Sequence, residues 1–185
     1  KSSQMELSAY YSHDDFRFNS DTTYNYDNLI IASRLRHNFS QSLFSVFSLT
    51  NSNYRFNVTN TRIGEYASTM EHRVNTTSAR ANLTWYITSD QELKFGGESN
   101  LHIINKGKRT PLPPLSVVKA EEIDRETGLE TAFYADYKAD IASGLTARAG
   151  LRLSTFLVLG PETVHLYNPE FSKDLNTIID SVRYR

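Results

Sequence analysis

The chain has 185 residues, a net charge of −1 and no cysteine. That length can bury a full core, the charge supplies no global field to recruit nucleic acid or anionic lipid, and disulfides and thiolate metal centres are excluded. Hydrophobic residues reach only 39%, while 11 Tyr and 10 Phe stand among abundant Ser, Thr and Asn, a mix that favours strands and loops over helices.

From the N-terminus, the pattern predicts strands near 5–18, 26–37, 43–58, 71–87, 92–104, 129–139 and 145–158. The opening Lys1-Ser2-Ser3-Gln4 carries neither an initiator methionine nor a secretory leader, so the chain reads as a mature product or an internal piece. Strands 26–37 and 43–58 alternate poorly. Ile30-Ile31 and Phe56 settle on no one face, and a bulge or a shifted register is expected there. On 79–87, Ala79, Ala81, Leu83, Trp85 and Ile87 oppose Arg80, Asn82, Thr84 and Tyr86. On 92–104, Leu93, Phe95, Gly97, Leu101 and Ile103 oppose Lys94, Glu98, Asn100 and His102. On 131–137, Phe133, Ala135 and Tyr137 alternate with Tyr134 and Asp136, and Lys138 continues the polar row. The clearest alternation is 145–154, where Leu145, Ala147, Ala149, Leu151 and Leu153 interleave with Thr146, Arg148, Gly150, Arg152 and Ser154. A period of two gives each strand one apolar and one polar face. The apolar face meets either a protein core or lipid.

The connections divide by length. Short turns are expected near 38–42, 88–91 and 140–144, and long polar loops near 19–25, 59–70, 105–128 and 159–185. In a meander, alternate connections emerge at opposite ends, so this is the arrangement of an outer-membrane barrel with short periplasmic turns and long extracellular loops. Mean hydropathy is −0.48. That value does not argue against a barrel, because only every second strand residue meets lipid. Phe39, Phe44, Trp85, Tyr86, Phe95 and Tyr137 cluster beside the short turns, as rings at a membrane–water boundary or as caps of an ordinary core. Pro111, Pro113 and Pro114 end a strand. Leu175, Ile178, Ile179 and Val182 sit at helical spacing and suggest a short amphipathic helix within 172–182.

The segment Glu92-Leu93-Lys94-Phe95-Gly96-Gly97-Glu98 resembles a hairpin-opening strand of TonB-dependent outer-membrane receptors, especially those of Bacteroidetes type. Phe133-Tyr134-Ala135-Asp136-Tyr137, followed by a short turn and by Ala149-Gly150-Leu151-Arg152, resembles the same family more closely. The likeness spans roughly residues 26–158. It implies an antiparallel up-and-down transmembrane β-barrel in the outer membrane of a Gram-negative cell, through which a nutrient is imported. It also implies a plug domain inside the barrel, further barrel strands, the TonB complex as energy source, and a surface lipoprotein as an added partner. No plug sequence, TonB-box-like segment or terminal aromatic strand is present, so the chain fits a middle portion of such a barrel.

Sites of chemistry are few. His13-Asp14-Asp15 offers adjacent metal ligands, but neighbours in a strand point to opposite sides, and a solvated edge is the better reading. Glu121-Glu122, Asp124 and Glu126 lack the glycine spacing of a calcium loop and read as a solvated patch. His37, His72, His102 and His165 are scattered. Phosphate loops, nucleophile elbows and triads are absent. Gly96-Gly97 suggests a bend in the barrel wall. No metal, cofactor or nucleic acid is expected, and an enzyme is the least supported class. The expected lumen face comprises Arg80, Asn82, Lys94, Glu98, Asn100, His102, Asp136, Lys138, Arg148 and Arg152. The expected lipid face comprises Leu83, Trp85, Leu93, Phe95, Phe133, Tyr137, Leu145, Ala147, Ala149, Leu151 and Leu153. Competing readings are a complete barrel of about eight strands with a structural or adhesive role, and a soluble β-rich binding module.

Overall fold

A computed structural model describes residues 2–160, 162–170, 172–173 and 175–184. The strands are β1 (Ser2–Asn19), β2 (Thr22–Asn38), β3 (Leu43–Asn60), β4 (Ser68–Thr88), β5 (Gln91–Pro111), β6 (Glu121–Glu122), β7 (Glu126–Ala142), β8 (Leu145–Leu159), β9 (Glu162–Tyr167) and β10 (Ile178–Tyr184). The main sheet is an antiparallel meander in the order β1-β2-β3-β4-β5-β7-β8, with the short β6 also paired to β5. β9 and β10 form a separate two-stranded sheet. The main sheet is not closed: among the described residues, the outer edges of β1 and β8 have no strand beside them.

Turn chemistry sets the hairpins. The Asn19 carboxamide oxygen accepts from the backbone N–H of Asp21 (3.2 Å) and Thr22 (2.9 Å), which tightens β1 into β2. The Ser40 hydroxyl accepts from Ser42 (3.2 Å) and Leu43 (3.0 Å) in the same way. Gly144 adopts φ +82°, a left-handed turn position that glycine takes without steric cost.

Three expectations need correction. The long loop expected at 19–25 is a tight turn at 20–21, because Asn19 supplies the turn that its polar neighbours conceal. The bulge expected around Ile30-Ile31 and Phe56 is absent, since β2 and β3 pair without interruption from Thr22↔Asn60 to Asn38↔Phe44. The helix expected within 172–182 is a 3-10 turn at Leu175–Thr177 running into β10. The strands also extend beyond their expected ends, so the connection after β3 narrows to 61–67 and the one after β5 to 112–125. Those two connections touch: Val117 N–H donates to the Glu65 carbonyl (2.8 Å) and Leu112 N–H to that of Ala67 (3.0 Å).

The sheet is a single layer with almost no interior. Among the described residues the buried apolar ones are Ala67 and Ala132, and no large side chain is fully buried. Instead Met5, Leu7, Leu35, Phe47, Leu49, Trp85, Phe133, Leu151 and Leu153 are exposed. A water-soluble sheet of this size would cover such a face with a second layer.

Candidate functional site

Directly opposed residues in a ladder share a face, so the pairings sort the side chains. One face carries the rows Leu35–Phe47–Ala81–Gly97–Phe133–Leu153 and Leu43–Trp85–Leu93–Tyr137–Ala149. Every residue expected to face lipid lies on this face, with Leu145 continuing the β8 alternation. The other face carries Ser48–Arg80–Glu98–Ala132–Ser154 and Val46–Asn82–Gly96–Tyr134–Arg152. Every residue expected to face a lumen lies here.

The apolar face is not uniform along the strands. On β3, β4 and β5 its apolar stretch occupies the part nearest the turns at 39–42 and 89–90 and is about ten residues deep, the reach of a tilted strand through a bilayer, while on β8 it runs on to Leu157 and Leu159. Above it the same face turns polar, in the row His13–Asp27–Arg55–Arg73–Asn105. Trp85 and Tyr137 flank Leu93 at the lower margin.

The polar face holds a connected network. Glu98, whose side chain is 12% exposed, takes an ion pair from Arg80 at 2.6 Å and another from Arg152. The Arg152 pair skips a strand, from β8 over β7 to β5. It can do so because the intervening residue is Ala132, which is 0% exposed beneath it. Tyr134 makes a second skip. Its hydroxyl donates to the Asn82 carboxamide oxygen on β4, passing over Gly96 of β5. The Arg152 guanidinium lies 5.8 Å from the Tyr134 ring centroid, close enough for a cation–π contact. Arg148 Nε bonds both Asp136 oxygens at 2.9 Å, Lys94 pairs with Glu92 at 2.6 Å, Lys138 with Asp140 at 3.6 Å, and His102 Nδ1 lies 3.1 Å from the Thr76 hydroxyl. Asn100 shares the face outside these pairs.

The glycines explain how the network fits. A Cβ on Gly96 would meet the Ala81 carbonyl and come within 2.8 Å of the Tyr134 hydroxyl, and one on Gly97 would lie 3.0 Å from Phe133 Cδ1. Gly96-Gly97 therefore makes room for one aromatic ring on each face. Tyr134 was missed as a site residue. The readable signal was its large ring two strands from Asn82, with only glycine between. A second unforeseen feature lies higher on the polar face: Tyr26 stacks on Phe56 (4.8 Å between centroids), and Phe56 on His72 (6.0 Å).

Elsewhere the predicted loci are ordinary. His13 Nδ1 bonds Asp27 at 2.7 Å and its Nε2 lies 3.2 Å from Asp15, while Asp14 is on the opposite face. Glu122 pairs with Lys108 at 3.2 Å and Glu126 with Lys106 at 2.7 Å, so lysines of β5 answer the acidic patch. Among the described residues no group of three His, Asp or Glu side chains is placed to hold a metal ion. No family model, curated protein or solved structure matches this chain.

Proposed function

We propose that this sheet is part of the wall of an outer-membrane β-barrel, and that the barrel is the import route of a TonB-dependent receptor. The observation that carries the reading is the uncovered apolar belt: it crosses the meander, lies toward the short-turn end on β3 and β4, runs the length of β8, and faces away from every charged member of the Arg80–Glu98–Arg152 network. A bilayer satisfies such a belt, and the paired strands satisfy their own backbone groups within it. The polar face then borders a lumen. Its ion pairs lie beside water and each stabilises little. Their role is to hold donors and acceptors in place for a plug domain or a passing solute. Contacts that skip a strand, as Arg152 and Tyr134 make, are favoured on the concave side of a curved sheet, which supports that face as the inner one.

The open edges of β1 and β8 favour a portion of a larger wall over a closed small barrel. The single layer gives a soluble sandwich no partner for its apolar face. The transport reading rests further on the sequence resemblance, with the plug, the TonB complex and a surface lipoprotein as its expected partners. A strain lacking this polypeptide and a strain lacking the TonB complex are therefore expected to share a growth defect on at least one sole nutrient source. Normal growth of the first strain on every source that defeats the second would sink the import assignment.

A further inference from the structure

Above the apolar belt, on the same face, Arg55 of β3 stands directly opposite Arg73 of β4. Like charges directly opposed across a ladder destabilise it. Among the described residues no carboxylate lies within ion-pair distance of either guanidinium, and Asp27 acts on Arg55 only at longer range. The carboxylate beside Arg55 in the row, Asp27, is already held by His13 (2.7 Å) and the Tyr11 hydroxyl (3.2 Å). The Arg73 Nε–H is shielded from solvent with no acceptor, and the Asn105 Oδ1 opposite it is shielded with no donor. A sequestered donor and acceptor each left unmatched is costly. Both residues line a cavity of about 600 Å³ between β4, β5 and the 122–125 segment. Arg125 lines it too, as do Glu122, which Lys108 engages, and Asp124. Its floor is Ile103, the upper end of the apolar run on β5.

We propose that this cavity binds the phosphoglycerol type of headgroup, an anionic phosphate with a neighbouring hydroxyl, carried by a lipid that lies along the apolar face. The phosphate oxygens accept from the Arg73 fork and relieve its repulsion with Arg55. The hydroxyl donates to Asn105 Oδ1. The acyl chain descends past Ile103. The lipid source rests on the membrane reading above; the headgroup chemistry does not.

The test titrates the folded protein, in neutral detergent, with short-chain phosphatidylglycerol, glycerol 3-phosphate and short-chain phosphatidylcholine. We expect saturable one-to-one binding of phosphatidylglycerol, weaker binding of glycerol 3-phosphate, and none of phosphatidylcholine. Arg73→Gln should weaken phosphatidylglycerol roughly tenfold or more, the value of a charged hydrogen bond. Arg73→Lys should not restore it, and Arg109→Gln, on β5 outside the cavity, should bind normally. Unchanged thermal unfolding of Arg73→Gln keeps the comparison valid; if that variant unfolds, Asn105→Leu replaces it with the same expectation. Glycerol 3-phosphate binding as tightly as the lipid would overturn the lipid source. So would a protein that binds it while remaining soluble without detergent, an outcome that removes the membrane reading and leaves the headgroup site. No saturable binding, or an equal loss in Arg109→Gln, would overturn the site itself.

Discussion

Two substitutions separate what touches backbone from what touches a movable ring. Gly96→Ala places a methyl against the Ala81 carbonyl and the Tyr134 hydroxyl, and neither can yield without disturbing the sheet or the Asn82 bond. Overpacking of this kind costs about 1–3 kcal/mol. Gly97→Ala presses on the edge of Phe133, an exposed ring that can turn aside, and meets the Ala132 carbonyl only at an ordinary 3.4 Å. Urea unfolding in lipid vesicles should show the larger loss for Gly96→Ala, and equal losses would count against the strand-skipping network. Facing is tested by charge. Ala149→Arg should destabilise by about 2–4 kcal/mol if the site lies near the bilayer midplane. Thr50→Arg, on the polar face between Ala32 and Ser78, should cost far less in the same assay. Tyr134 and Arg73 show why residue roles were only partly readable. Alternation gives the face of a residue, but a contact over a missing side chain needs the register of three strands at once.

At the scale of elements, the upper β1–β2 hairpin should respond to pH. Hydrogen bonding to Asp27, and then to Asp15, raises the pKa of His13, while the His13 bond, and then that of Tyr11, lowers the Asp27 carboxyl. A raised folded-state pKa on His13 means its contribution is fully present below the unfolded value of about 6.5 and is lost as pH rises through the folded value. A lowered Asp27 pKa means its contribution is present above the ordinary carboxylate range and is lost as pH falls through the folded value. The hairpin is therefore tightest between the ordinary carboxylate range and the ordinary imidazole value, and loosens as pH rises from there through the raised His13 value. Amide protection factors at Asn25 to Asn28 should fall across that rise, and His13→Gln should abolish the trend; an unchanged trend in the variant would exclude the pair as its cause. Strands β5, β7 and β8 were legible because polar and apolar residues alternate over 92–95, 133–138 and 145–154. β2 and β3 were not, because Ile30, Tyr26 and Phe56 put apolar bodies on the polar face as well. The 19–25 turn was hidden because one asparagine side chain supplies the geometry, and the apolar spacing of 175–182 fits a helix although the segment is mostly strand.

For the whole molecule, composition alone left a soluble and a membrane fold open, and alternation could not separate them, since both bury every second residue. What bears on the choice is that, among the described residues, no second layer covers the apolar face of the main sheet, a property of assembly that no strand pattern encodes. An uncovered belt and two open edges predict association in water. The 185-residue chain should sediment as a polydisperse aggregate in buffer and as a defined species in detergent; a stable monomer in buffer would speak for a soluble module. The most direct test exploits the absence of cysteine. Spin labels on single cysteines introduced at Leu151 and Arg152, neighbours on opposite faces, report accessibility to oxygen, which dissolves in hydrocarbon, and to a water-soluble nickel chelate. In the protein reconstituted into vesicles we expect Leu151→Cys to favour oxygen and Arg152→Cys to favour nickel. The reverse order, or the same preference at both positions, would contradict a wall with lipid on one side and water on the other.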